Sequence, residues 1–245
     1  DEGHRGRDHP GGHTMRPRHH YYLEFEDPRR DFHLTIPGFA AGSGARPGTA
    51  IPNWAKLTCH QCTNCPLQGD DAEYCPPAHD MIDLVEHFAS CHSYDRCNLH
   101  VWTNSMMHTI RTDLQRALAY LYPAVLAASS CPYAPLLSPL TKFGKPFPDM
   151  VDMFYYALSF RLIGSYLQDD KHFRAETVAL DSSDALALAQ VLHGLLLRIK
   201  QSALSDANIN ALVKDIQWSY AGMHPLMFFK KQLEEHFPKQ QECAK

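Results

Sequence analysis

Four cysteines in the first third of the chain have the spacing of a metal-binding site. Cys59, Cys62 and Cys65 follow one another at three-residue intervals, and Cys75 comes ten residues later, just before a proline. Two cysteines separated by two residues can turn both sulfurs toward one ion at a Zn–S distance of about 2.3 Å, because the intervening turn folds the chain back. Cys62-x-x-Cys65 is such a pair, and Cys75 can supply a third thiolate. The spacing leaves the fourth ligand open among Cys59, His60 and a distant residue such as Cys131.

The cysteines fit two kinds of metal centre. Zinc tolerates mixed Cys and His ligands and closed structural sites. An iron–sulfur cluster prefers four thiolates, and the cysteine run partly matches that of bacterial ferredoxins, although its last interval is ten residues rather than four. Without a metal, the same residues would be small buried hydrophobes. We expect structural zinc, with an iron–sulfur cluster as the alternative.

Composition limits the class of protein. A length of 245 residues, 44% of them hydrophobic, suits one large folded domain or one domain with an appendage. A net charge of −4 argues against nucleic-acid binding by counterion release. The longest nearly apolar run, 117–128, contains Pro123 and is too short to span a bilayer. With no secretory signal visible, we expect a cytoplasmic protein whose clustered cysteines are metal ligands rather than disulfides.

The pattern of apolar residues predicts an α+β fold, with a small N-terminal antiparallel sheet joined to a helical C-terminal body through the metal site. Alternation predicts strands at 21–26, 32–36, 54–58 and 97–103, with an exposed loop over 37–52. Helical periodicity predicts six helices: one marked by apolar residues over 81–89 with Pro76 and Pro77 at its entry, one from Ser105 with Pro123 kinking or ending it, and others starting at Asp149, Ser182 or Ser183, Ser205-Asp206 and Pro225. The expected division is a disordered tail at 1–17, the sheet with the cysteines and one helix at 18–104, and the helical body at 105–245, which is expected to form one continuous domain with the sheet.

Other polar residues favour ordinary structural roles. His79, Asp83, Glu86, His87 and Ser90 share one face of the first predicted helix, where a solvated polar face is the simpler interpretation than a second metal site. Two residues interrupt apolar helical runs: His193 is expected in the core, and Arg161 is expected to reach solvent. Nucleotide-binding and hydrolase motifs are absent from the sequence, which argues against nucleotide-dependent and hydrolytic chemistry. Their absence does not decide whether the protein is an enzyme of another kind.

The motifs around the cysteines resemble an uncharacterised family of bacterial proteins. The matching stretches cover roughly residues 20–170 and are, in chain order, His60-Gln61-Cys62-Thr63-Asn64-Cys65-Pro66-Leu67, Tyr74-Cys75-Pro76, Leu114-Gln115-Arg116-Ala117-Leu118 and Ser129-Ser130-Cys131-Pro132. The chain departs from the family pattern at Ser130, where glycine is usual, and around 143–147, where a histidine is more usual. The resemblance implies that Cys62, Cys65, Cys75 and Cys131 form one site and that Cys59 is additional.

Taken together, the sequence predicts a metal-binding protein of the interaction or accessory kind, which contacts a protein partner or a second copy of itself. It predicts neither nucleic-acid binding nor a membrane span. The alternative is a redox protein or metalloenzyme with an iron–sulfur cluster or an open metal position. A small-molecule pocket among the Met-rich and aromatic helices is a third possibility.

Overall fold

The computed structural model describes residues 18–37, 51–70, 72–103, 106–137, 145–168 and 182–221. Within these ranges, the fold is a four-stranded antiparallel sheet with helices, which confirms the α+β class. The strands are β1 (Arg18–Glu24), β2 (Phe32–Pro37), β3 (Arg96–Trp102) and β4 (Met107–Asp113), in the order β2-β1-β3-β4. The helices are α1 (Pro76–Asp80), α2 (Ile82–His87), α3 (Leu114–Ala128), α4 (Met150–Gln168), α5 (Ser182–Ile199) and α6 (Ala207–Ala221).

The two faces of the sheet follow the alternation of the sequence. Leu23 on β1 pairs with Leu99 on β3, and neither side chain is exposed to solvent. On the opposite face, Tyr22 stacks on His33 of β2 with ring centroids 4.3 Å apart, and His100 of β3 lies on its other side at 5.5 Å. The apolar face therefore supports the core, and the polar face is held together by ring contacts between neighbouring strands.

The first hairpin and the strand at 96–102 confirm the sequence-based prediction, whereas two other predictions of regular structure were wrong. Residues 54–58 do not form a strand: a short 3-10 helix covers Asn53–Ala55, and only one bridge, from Lys56 to Tyr74, follows it. The segment after Ser105 is not helical at first, because β4 occupies 107–113. The predicted boundary at 104 between sheet and helical body therefore cuts the sheet.

The start of α3 is fixed by a cap that directly follows β4. Asp113 ends the strand, and its Oδ1 accepts a hydrogen bond from the backbone N–H of Arg116 at 2.9 Å. An aspartate at this position satisfies one of the free N–H groups of the first helical turn. The helix then continues through Pro123 to Ala128, so the proline does not end it.

The remaining helices begin close to the predicted positions. At the start of α4, the backbone N–H of Asp152 donates to the carboxylate of Asp149 at 2.9 Å, and the backbone N–H of Asp149 donates to the carboxylate of Asp152 at 2.8 Å. The predicted first helix is divided into α1 and α2 at Met81. The predicted tail at 1–17, most of the predicted loop over 37–52 and the helix predicted from Pro225 lie outside the described residues. None of the helices in the described ranges is long and apolar enough to cross a membrane.

Candidate functional site

The four cysteines shared with the family pattern line one small cavity. Cys62, Cys65, Cys75 and Cys131 all border a space of about 20 Å³. A volume of that size has room for about one water or one ion. The other lining residues are mostly apolar, namely Leu57, Leu67, Pro76, Pro77, Pro132, Tyr133, Val191, Leu195 and Arg198. The structure therefore brings together thiols from three separate stretches of the chain.

Cys62 and Cys65 belong to a tight turn held between two other elements. The N–H of Cys65 donates to the carbonyl of Cys62 at 3.0 Å, which closes the turn. Asn64 lies between them, and its side-chain amide donates to the carbonyl of Ala187 on α5 at 3.1 Å. The carbonyl of Asn64 accepts from the hydroxyl of Tyr133, two residues after Cys131, at 2.7 Å. These bonds fix the turn against both α5 and the segment that follows α3.

Cys75 reaches the cavity through pairing between two irregular segments. Its N–H donates to the carbonyl of Ala55 at 2.9 Å, and the N–H of Leu57 donates to the carbonyl of Glu73 at 3.0 Å. Pro76 follows directly and starts α1, where its fixed φ and missing N–H are compatible with the first helical position. Cys75 is the N-cap residue of α1, and its side chain makes no capping hydrogen bond.

Burial dominates the electrostatics of the thiols. It raises the pKa of Cys62 to about 12 and that of Cys131 to about 11, and it also raises the pKa of Cys75. Opposing contributions come from backbone donors to Cys131 and from the Arg198 charge, which lowers the pKa of Cys62 and Cys75. Without a bound cation, the raised pKa values keep these three thiols protonated near neutral pH. A metal ion would bind here in exchange for protons.

The thiols converge on the cavity without forming a finished coordination sphere. Within the ranges that the structure describes, no group of three or more His, Cys, Asp or Glu side chains is arranged so that it could hold a metal ion as it stands. A metal-binding role for Cys62, Cys65, Cys75 and Cys131 therefore requires their side chains to close around the ion.

The two alternative ligands lie away from the cavity lining. The Cys59 thiol is 3.6 Å from the side-chain oxygen of Gln201. His60 is exposed and has a φ of 44°, a left-handed conformation that is uncommon for residues other than glycine. Neither residue borders the space that the four other cysteines share.

Arg198 is the first of two residues of this site that could not be recognised from the cysteine spacing. Its side chain is 1% exposed and borders the same cavity as the cysteines. Its guanidinium donates to the carbonyls of Trp54 at 3.2 Å, Leu57 at 2.9 Å and Lys56. Nε has no hydrogen-bond partner in the described part of the molecule. The available signal was an arginine inside the apolar run 195–199, which is the same kind of signal that drew attention to Arg161.

Gly194 is the second such residue, and it determines how closely α5 approaches the turn. A Cβ at this position would lie 2.6 Å from the Cys62 sulfur and 3.4 Å from the His60 carbonyl oxygen. The nearer distance is shorter than real Cβ contacts, so only glycine fits without a shift. A glycine inside a strongly helical stretch was the sequence signal.

The other polar residues considered from the sequence do not join this site. Asp83, Glu86, His87 and Ser90 are exposed, as a solvated face requires, and His79 is half-buried and stacks on Tyr74 at 4.2 Å. His193 is exposed, so the expectation of a core histidine was wrong: it occupies a different face of α5 from the buried leucines. The side chain of Arg161 lies outside what the structure describes.

Comparison with known proteins identifies the family of the chain. The family model for a domain of unknown function, DUF6901, matches residues 30–226, which is most of the chain. No curated protein and no solved structure matches it. The expected membership of an uncharacterised family is therefore confirmed, and the chain belongs to the DUF6901 family of domains of unknown function.

Proposed function

We propose that the protein binds one zinc ion through Cys62, Cys65, Cys75 and Cys131, and that this ion has a structural role. The observation that carries the proposal is the convergence of these four thiols on a single small cavity. Sulfur ligands select soft or borderline metals such as zinc, copper(I) and iron–sulfur clusters. Four thiolates around one zinc ion are the usual composition of a closed structural site.

The size of the cavity supports a single ion over a cluster. A space of about 20 Å³ has room for about one ion or one water, whereas an iron–sulfur cluster adds several iron and sulfide atoms between the thiolates. A cluster would need a larger space between the four cysteines, but α5, the turn and the segment after α3 are tied to one another by the bonds of Asn64 and Tyr133. The cluster is therefore the less favoured alternative.

A structural role agrees with the elements that the thiols would join. Cys75 directly precedes α1, Cys131 follows α3, and Cys62 contacts α5 at Gly194. An ion held by all of them would link regions more than 50 residues apart in sequence, and its binding free energy would then contribute to folding. The lining is largely apolar, and its polar side chains other than the thiols, Tyr133 and Arg198, bond to backbone carbonyls, which favours a structural over a catalytic ion.

We also propose an interaction or accessory role for the protein, which is supported by apolar side chains on α4. Tyr155, Ile163, Tyr166 and Leu167 are each at least half exposed in the part of the chain that the structure describes. Exposed apolar patches frequently mark protein–protein contacts. Light scattering across a concentration series, with Leu167→Glu as the comparison, tests whether the partner is a second copy.

Elemental analysis of freshly purified protein tests the metal. We expect about one zinc per chain and no absorption near 400 nm, and we expect Cys62→Ser, Cys65→Ser, Cys75→Ser and Cys131→Ser to lower the zinc content. Cys97→Ser is the matched control, because Cys97 is buried in β3 outside the cavity. Cys59→Ser and His60→Asn should retain the ion. Brown protein containing iron would favour the cluster, and metal-free wild-type protein that takes up no zinc would refute the proposal.

A further inference from the structure

The geometry points to Arg198 as the buried counter-charge of the four-thiolate zinc site and therefore as a residue that sets its metal affinity. This inference rests on the proposed function. A zinc ion with four thiolates carries a net charge of −2, and placing such a charge in an apolar cavity is costly unless a cation lies nearby. Arg198 borders that cavity and is 1% exposed.

The hydrogen bonds of Arg198 involve its Nη1 and Nη2 atoms and do not neutralise its charge. All three of its partners are backbone carbonyls, those of Trp54, Lys56 and Leu57. Among the described residues, no carboxylate forms an ion pair with it. A buried charge is normally paired with an opposite charge. The thiolates of the occupied site would supply that missing negative charge.

The unpartnered Nε is the second observation. It is a buried donor without an acceptor in the described part of the molecule, on a side chain that borders the sulfur-lined cavity. Leaving such a donor unsatisfied is costly in an apolar interior. Ligand sulfurs accept hydrogen bonds, and donors of this kind tune a metal centre by orienting its ligands and stabilising their charge.

A purely structural role for Arg198 makes a different prediction. The three carbonyl bonds tie α5 to the 54–57 segment, so that removing them would destabilise the metal-free and zinc-bound proteins to the same extent. Zinc affinity would then be unchanged. A counter-charge acts only when the thiolates are present, and its loss must therefore appear in the dissociation constant of the metal.

The test measures zinc affinity of the full-length chain by competition with a chromophoric chelator, in wild type, Arg198→Met, Arg198→Lys and the control Lys200→Met. Lys200 is exposed and two residues along, and its replacement changes the net charge equally. We expect Arg198→Met to weaken zinc binding 10–100-fold, as loss of a group supporting metal ligands commonly does. Arg198→Lys should recover most of that loss, and Lys200→Met should match wild type.

Equal zinc affinities for Arg198→Met and wild type would overturn the inference while leaving the zinc site itself standing. Failure of the wild-type protein to bind zinc would instead refute the proposed function. If Arg198→Met does not fold without metal, Arg198→Lys tests the inference instead. Should Arg198→Lys lose as much zinc affinity as is expected for Arg198→Met, the positive charge would not be what supports zinc binding.

Discussion

Replacing Gly194 by alanine tests whether α5 is seated directly on the cysteine turn. The new Cβ would lie 2.6 Å from the Cys62 sulfur. Ordinary contacts between heavy atoms begin near 3.5 Å, so one of the two groups must move by about 1 Å. Overpacking of this kind costs about 1–3 kcal/mol. Alanine also gains about 1 kcal/mol over glycine in a helix, which leaves a net destabilisation of about 0–2 kcal/mol.

Gly164 provides the matched control for this measurement. It lies inside α4, and a Cβ built there meets nothing within 4 Å. Gly164→Ala should therefore show only the helix-propensity gain of up to about 1 kcal/mol. The difference between the two variants isolates the steric cost at Gly194, about 1–3 kcal/mol, which corresponds to roughly 2–12 °C in Tm for a chain of this size.

Urea unfolding and thermal melts of both variants, each with and without zinc, provide the assay. A displaced Cys62 sulfur should also lower zinc affinity, since ligand distances in metal sites tolerate only about 0.2 Å. The reasoning fails if Gly194→Ala is as stable as Gly164→Ala, because α5 would then not contact the turn in the way that the distance requires. Unchanged zinc affinity in a destabilised Gly194→Ala would separate packing from metal binding.

Three further outcomes are expected. Removing zinc with a chelator should lower Tm by about 5–10 °C relative to protein with zinc at 100 times its Kd, since that excess contributes about 2.7 kcal/mol; an unchanged melt after confirmed metal loss would reject the structural role. In metal-free protein, burial raises the pKa of Cys62 to about 12 and that of Cys131 to about 11, whereas unfolded thiols titrate near 8.5. The folded state then holds more protons above about pH 8.5, so stability should fall from there upward in urea titrations, and less so in Cys62→Ser. Asn208→Ala should cost about 3 kcal/mol in the same assay, because Asn208 is 1% exposed and its loss removes two buried hydrogen bonds, one from the hydroxyl of Tyr122 and one to the carbonyl of Val85; Tyr122→Phe removes one of the two and should cost about 1 kcal/mol.

Strong local signals explain which elements could be predicted from the sequence. The β1–β2 hairpin has clean alternation on both sides of a turn that begins at Asp27, whose side chain accepts the N–H of Arg29. The starts of α4 and α6 follow acidic residues at positions where caps are expected. In these places, propensity, alternation and capping all favour the same structure, so tertiary contacts were not needed to choose it.

The two errors in the sheet have a common physical cause. Residues 107–114 contain Met107, Ile110 and Leu114 at spacings that also suit a helix, yet 107–113 pairs with β3 along its whole length. Residues 54–58 are apolar enough for a strand, but their carbonyls instead accept isolated hydrogen bonds from the N–H of Cys75 and from the guanidinium of Arg198. Which alternative forms depends on an available strand edge: β3, which ends just before β4, provides one for 107–113, whereas 54–58 pairs only through the bridge from Lys56 to Tyr74 in the described part of the chain.

Local spacing indicated the turn and Cys75, but the rest of the site depends on α5. Gly194 and Arg198 lie four residues apart, so they occupy neighbouring positions on one face of that helix. The glycine lets the Cys62 sulfur approach the helix, and the arginine brings a positive charge to the border of the same cavity. Cysteine spacing alone cannot reveal this pairing, since the two residues follow the cysteines by more than 60 positions. If the site binds zinc, α5 therefore contributes no ligand and still controls the site through the space it leaves and the charge it supplies.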